Sequence, residues 1–217
     1  MGALRKFFSF ALIGAVPLVV SCLGSGGGGG PSYSSHDFGD NDPKKVVALG
    51  DSITEGYSCD DETRAYPDRV AQMTGLTVIN AGSGGEQSSG AASRAGRLMD
   101  KHKPGFILIL TGHNDAIFDR SPGSVRGNIR SIIQSAQNRK VVPIVGTLLP
   151  IGAPRRFATE PAKSYSVEIR SLAKEMGVQL VDIEKEFGDG KSLECDGLHP
   201  NEEGSAVIAA AFADKLP

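Results

Sequence analysis

Long apolar runs are scarce in this chain of 217 residues. The one that occurs, Phe7 to Val20, is too short to cross a bilayer. As a helix it spans about 21 Å against a hydrocarbon core of roughly 30 Å. With Arg5 and Lys6 ahead of it, the stretch reads as an export signal. Basic runs are missing too. The formal charge is −2, and removing Met1–Ser21, which holds two cations and no acid, makes it −4. That balance argues against nucleic acid as a partner. Tryptophan is absent, and no internal repeat is visible. Phosphate signatures also fail. Gly82 and Gly84 are followed by Gln87 where a dinucleotide fingerprint needs glycine, and no Gly-Lys-Ser/Thr follows a glycine-rich turn.

What is present begins at Val19-Val20-Ser21-Cys22. This resembles a bacterial lipobox, in which the cysteine is lipidated and becomes the first residue; simple cleavage after Ser21 is the alternative. Lipoproteins of this type carry two or three acyl chains, enough for a lasting anchor. The expected organisation is a signal peptide over 1–21, a lipidated Cys22 with a Gly/Ser-rich tether over 22–44, and one domain over 45–217. Gly26 to Gly30 and the polar residues after them bury too little apolar surface to order themselves. As a coil, a tether of this length spans on the order of 25 Å. Export leaves Cys59 and Cys195 as an even pair in an oxidising compartment. Cys59 lies shortly after Ser52, and Cys195 directly precedes Asp196. If Ser52 and His199 meet, the two sulfurs are neighbours, so a disulfide is expected; two unpaired small apolar residues are the alternative.

From Lys45 onward, short β-rich runs alternate with amphipathic segments. Strands are expected at Val46–Leu49, Thr77–Asn80, Phe106–Thr111, Val141–Leu148 and Val178–Asp182, mostly as continuous apolar runs buried on both faces. Helices are expected at Ala65–Thr74, Ser88–His102, Ser124–Asn138, Pro161–Met176 and Asn201–Leu216. Gly75 and Gly177 are the C-terminal stops and Asn201 an N-cap. The βα alternation predicts a three-layer α/β/α sandwich around a five-stranded parallel sheet. The favoured strand order is 2-1-3-4-5, with the functional crevice beside strand 1.

Four loops then fall at one end of the sheet. Gly50-Asp51-Ser52 offers a hydroxyl, which needs an adjacent base to act as a nucleophile. Asn80-Ala81-Gly82-Ser83-Gly84-Gly85-Glu86 can present backbone N–H groups to an anionic oxygen. Thr111-Gly112-His113-Asn114-Asp115 supplies an amide donor in Asn114. Asp196-Gly197-Leu198-His199 places a carboxylate three residues before an imidazole, close enough to hold one ring nitrogen while the other faces the serine. Taken singly, each reads as an ordinary turn.

Taken together, in this order, the four loops resemble the blocks of the SGNH hydrolases, the GDSL esterase/lipase family. Its Ser, Gly, Asn and His markers match Ser52, Gly85, Asn114 and His199, and Asp196 matches its acid. The resemblance covers Lys45–Pro217. It implies a flavodoxin-like fold and hydrolysis of carboxylic esters through an acyl-enzyme, with Ser52, Asp196 and His199 catalytic. Ser52, Gly85 and Asn114 would form the oxyanion hole, and no cofactor is required. Gly-His-Asn-Asp looks like the form found in carbohydrate acetylesterases, a lean toward small or acetyl esters, including acylated saccharides. Asp51, His113 and Asp115 are expected to support the loops or the substrate. A metal site from His113, Asp115, Asp196 and His199 lacks compact ligand spacing. The competing readings are a lipase, lysophospholipase or thioesterase for longer chains, an acyltransferase, and a non-catalytic binding lipoprotein. A monomer is expected, held to a membrane by its lipid alone on an outer-membrane, periplasmic or surface face.

Overall fold

The computed structural model describes residues 32–58, 64–190 and 192–217. The segment read as an export signal, Cys22 and Cys59 lie outside the described residues. Five strands are seen: β1 (Asp42–Gly50), β2 (Thr77–Gly82), β3 (Pro104–Leu110), β4 (Val142–Gly146) and β5 (Gln179–Val181). They form one sheet in the order β2-β1-β3-β4-β5, with every pairing parallel. The topological reversal therefore falls beside β1.

Alternation along the strands feeds two cores. Val47, Leu49, Ile107, Ile109 and Val145 face one side of the sheet. There they meet α3 (Ser88–His102), α5 (Pro122–Gln137) and α6 (Thr159–Met176). The α5 stripe of Val125, Ile129, Ile132, Ile133 and Ala136 is wholly buried. Val46, Ala48, Phe106, Leu108 and Ile144 face the other side. They pack against α2 (Tyr66–Thr74) and α8 (Glu202–Ala213). Gly75 and Gly177 end their helices in the left-handed conformation, and Asn201 caps α8 by accepting from Gly204 N.

Short elements complete the fold: α1 (Ser52–Glu55), α4 (His113–Ile117), a 3₁₀ turn at Arg156–Ala158, and α7 (Ile183–Phe187). Three of them sit at the strands' C-terminal ends and carry site residues or their neighbours.

The packed domain starts upstream of Lys45, which corrects the expected boundary. Within the segment read as tether, Tyr33 and Phe38 set their rings 4.9 and 5.5 Å from Phe106. Tyr33 OH donates to Lys215 O at 2.7 Å, and Asn41 Nδ2 donates to Arg139 O at 2.7 Å. Phe106 opens the apolar run of β3, Arg139 precedes β4, and Lys215 follows α8. This segment therefore lies across the N-terminal edge of the sheet, opposite the loops that follow the strands. Two aromatic rings in a polar stretch supply enough apolar burial to order it.

Candidate active site

β1 is buried from Val46 to Gly50 and ends at the loop that holds Ser52. Asp51 turns the chain by accepting from Ile53 N at 3.0 Å, which starts α1 at Ser52 itself. Gly50 is tightly confined: a side chain there would run into Thr54 and the Leu110 carbonyl. Strand end and Ser52 loop are thus fixed against β3.

Ser52 and His199, 147 positions apart, meet in space. Ser52 Oγ lies 2.9 Å from His199 Nε2, and His199 Nδ1 lies 2.9 Å from Asp196 Oδ2. A carboxylate only accepts, so Nδ1 carries the ring proton and Nε2 is left to accept from the hydroxyl. Asp196 Oδ1 also accepts from Leu198 N at 3.0 Å and His199 N at 2.8 Å. Burial pushes the Asp196 carboxyl up. The hydrogen bonds from the His199 backbone and ring outweigh it, and with the charges of His199 and Arg155 they leave Asp196 below its ordinary value. It is therefore a carboxylate at neutral pH, suited to hold an imidazolium.

The loop around Asp196 is clamped from outside. Gly152 N donates to Gly197 O at 2.9 Å, and Arg155 Nη1 donates to Asp196 O at 2.6 Å. Gly197 has φ +79, and a Cβ there would collide with the Ala153 carbonyl. Only glycine permits this approach. Tyr57, 57% exposed, sets its ring 4.4 Å from the His199 ring. Cys195 is disulfide-bonded; its partner lies outside the described residues.

Asn114 reaches the same cleft from α4. Its Nδ2 donates to Glu86 O at 3.0 Å, which uses one of two amide hydrogens and holds the loop of Gly85. Gly85 adopts φ +73. Among the described residues, no backbone carbonyl accepts from the N–H of Ser52 or of Gly85. Asn114 Nδ2 keeps a second hydrogen beyond its bond to Glu86 O.

The remaining candidates are buried and bonded within the fold. His113 and Asp51 are fully buried. Leu149 N donates to His113 Nε2 at 3.0 Å, so the ring proton sits on Nδ1 and points at Asp51 Oδ2, 3.3 Å away. The pair links β1, α4 and the segment after β4. Asp115 accepts from Ser88 N and Ser88 Oγ, both at 2.7 Å, and so anchors the start of α3. Neither His113 nor Asp115 joins Asp196 and His199. Among the described residues no group of three or more such side chains is placed to hold a metal ion.

Sequence reasoning missed three contributors. Arg94 on α3 pairs with Glu86 (Nη2 to Oε2, 2.7 Å) and donates to Ala81 O at 2.7 Å and Gly50 O at 3.2 Å. It ties together the ends of β1 and β2 and the loop that holds Gly85 and Glu86. Nothing in a helical arginine signals that role. Arg155 lies in the loop after β4, and no spacing in the sequence links it to Asp196. Tyr57 follows Ser52 at a spacing that periodicity cannot interpret.

The parallel α/β/α sheet carries a hydrogen-bonded serine–imidazole–carboxylate run at its strand ends, and the family match places the chain in the esterase and acylhydrolase class. Residues 48–207 match the model of the GDSL-like Lipase/Acylhydrolase family, and the chain belongs to that family. Thioesterase 1/protease 1/lysophospholipase L1 of Escherichia coli strain K12 is 27% identical over 177 residues, covering 79% of this chain and 82% of that protein. An uncharacterized lipoprotein of Bacillus subtilis strain 168, YqeF, is 29% identical over 202 residues, covering 78% of this chain and 79% of the other. Among solved structures, the lipase/acylhydrolase from Enterococcus faecalis superposes with a TM-score of 0.69 at 25% identity, covering 78% of this chain and 93% of that one.

Proposed function

We propose that the protein hydrolyses carboxylic esters through an acyl-enzyme on Ser52, acting on small or acetyl esters, including acylated saccharides. The observation that carries this reading is the hydrogen-bonded run from Ser52 Oγ through His199 to Asp196, 2.9 Å at each step. His199 Nε2 takes the Ser52 proton as Oγ attacks the ester carbonyl carbon. The carbonyl oxygen becomes an oxyanion facing Ser52 N–H, Gly85 N–H and the Asn114 amide. Asp196 stabilises the imidazolium. The C–O bond to the alcohol breaks, and His199 returns its proton to the leaving oxygen. Water then attacks the acyl-enzyme by the same route, releasing the acid and restoring Ser52. Asp51, His113 and Asp115 position the loops and do not touch substrate.

The longer-chain reading keeps a place because the Escherichia coli relative is named a thioesterase and lysophospholipase. Export with lipidation at Cys22 draws support from the sequence motif and from the relative named a lipoprotein. A bond between Cys59 and Cys195 completes the proposal at the site's edge, and the protein acts as a monomer. Two measurements test the reading. Ser52→Ala should lose on the order of 10⁵-fold in kcat on p-nitrophenyl acetate with its fold unchanged; near-native turnover excludes this serine. A series of acyl chains from C2 to C16 should peak at the short end, and a maximum at long chains moves the enzyme to the alternative.

A further inference from the structure

The docked segment at the base of the domain fixes where the chain leaves it. Tyr33 and Phe38 pack on Phe106, Asn41 bonds to Arg139 O, and Asp42 N donates to Lys103 O at 2.8 Å. All of these partners lie at the N-terminal edge of the sheet. Ser52 and its loops lie at the other edge. Phe106 is level with Val46, six residues before Ser52, a rise of about 20 Å along β1. The chain therefore exits at the pole opposite the cleft.

Only ten peptide steps separate Cys22 from Ser32. Whatever path they take, they reach at most about 35 Å. A domain of this size has a radius of gyration of about 16 Å, so the route over its surface from pole to pole is roughly 60 Å. The connection is too short to let the cleft turn round and meet the bilayer that holds the anchor.

We infer that the anchored enzyme holds its cleft away from its own membrane, so that its substrates are water-borne acyl esters and not acyl lipids of the bilayer that carries it. This rests on the proposed lipidation of Cys22 and on the proposed hydrolytic role of Ser52, and it deepens both by excluding one substrate class on geometry.

The test uses the full, lipidated chain in phosphatidylethanolamine/phosphatidylglycerol vesicles. Mass measurement of Cys22 and flotation with the vesicles establish the anchor. Donor dyes on Lys101→Cys, at the base, and on Phe157→Cys, beside the cleft, report energy transfer to an acceptor on the lipid headgroups. Transfer should be strong from the base and weak from the cleft side; equal or reversed transfer overturns the inference. A second arm compares the native chain with one carrying about thirty Gly/Ser residues inserted after Gly30. The substrates are free p-nitrophenyl acetate and an acetyl ester mounted on a lipid headgroup in the same dilute vesicles. Both chains should hydrolyse the free ester alike. The native chain should hydrolyse the mounted ester roughly tenfold more slowly than the lengthened one, since a linker that cannot span its sites gives an effective concentration near zero. Equal rates on the mounted ester overturn the inference. An unmodified Cys22 that fails to float removes the anchor and the inference with it. Loss of free-ester turnover in both chains would instead strike the catalytic reading, while the energy-transfer result still decides orientation.

Discussion

Replacing Asn114 separates chemistry from support, because in the proposed mechanism its amide serves both. One hydrogen holds Glu86 O at 3.0 Å. A neutral hydrogen bond of this kind contributes about 1 kcal/mol to stability. In a domain of this size that is a fall of about 3 °C in Tm. The other hydrogen is available to the oxyanion, and one such donor is worth roughly 3 kcal/mol in the transition state, about 10²–10³ in kcat. Asn114→Ala should therefore cost little stability and at least about a hundredfold in kcat on p-nitrophenyl acetate, with KM nearly unchanged. Asn114→Asp keeps the shape but sets a negative charge where the oxyanion forms, so its kcat should fall lower still. Asp115→Asn is the contrast. It weakens two charge-assisted bonds to Ser88 at 2.7 Å that start α3, so Tm should drop further than in Asn114→Ala while kcat falls less. The order of the two variants should invert between thermal denaturation and turnover. If Asn114→Ala stays within about fivefold of the native kcat, the amide is a brace only, and the oxyanion argument is wrong.

Other perturbations follow from the same contacts. Arg94→Ala removes the donor that joins Glu86, Ala81 O and Gly50 O. It should cost about 2–4 kcal/mol in urea unfolding, and Arg94→Lys should not restore it because the planar fork is lost. Full recovery by lysine would show that only charge matters there. Glu194 is held above its ordinary value of 4.5, first by burial and then by the Asp196 charge. A carboxyl raised in the folded state contributes stability below its unfolded value and loses it as pH rises through the folded value. Glu194→Gln should thus match the native protein near pH 4 and exceed its Tm near pH 8. A difference independent of pH would contradict the assignment. Gly197→Ala forces a Cβ onto the Ala153 carbonyl at φ +79, so it should lower both Tm and turnover, whereas Gly177→Ala, whose Cβ meets open space, should lower Tm without touching turnover.

Much of the fold could be read from periodicity because the strands are continuous apolar runs covered on both faces. β3, buried from Pro104 to Leu110, shows this most plainly, and right-handed crossovers then left few strand orders. The short helices were not legible. α1, α4 and α7 span four or five residues, less than one amphipathic repeat, and neighbouring side chains cap two of them. Asp51 does this for α1 and Asp182 for α7. The start of β1 was hidden because Asp42-Pro43-Lys44-Lys45 is polar, yet it pairs at the sheet's base, where Asp42 aligns with Pro104. The docking of Tyr33 and Phe38 depends on the ring of Phe106 at the sheet's base, a partner that only the folded sheet supplies. In the cleft, the meeting of residues 52 and 199 was legible because both follow the same end of the sheet. The service of His113 to Asp51 and Leu149 was not, since it depends on which ring nitrogen meets which backbone group. Arg155 needs the turn at Gly152 to reach Asp196, a long-range closure that spacing does not encode.

The account stands on Ser52 as the atom that becomes acylated. A fluorophosphonate probe followed by peptide mass mapping measures this directly. The adduct should sit on Ser52 alone, disappear in Ser52→Ala, and form far more slowly in His199→Ala. An adduct on another residue, or labelling of His199→Ala at the native rate, would contradict it.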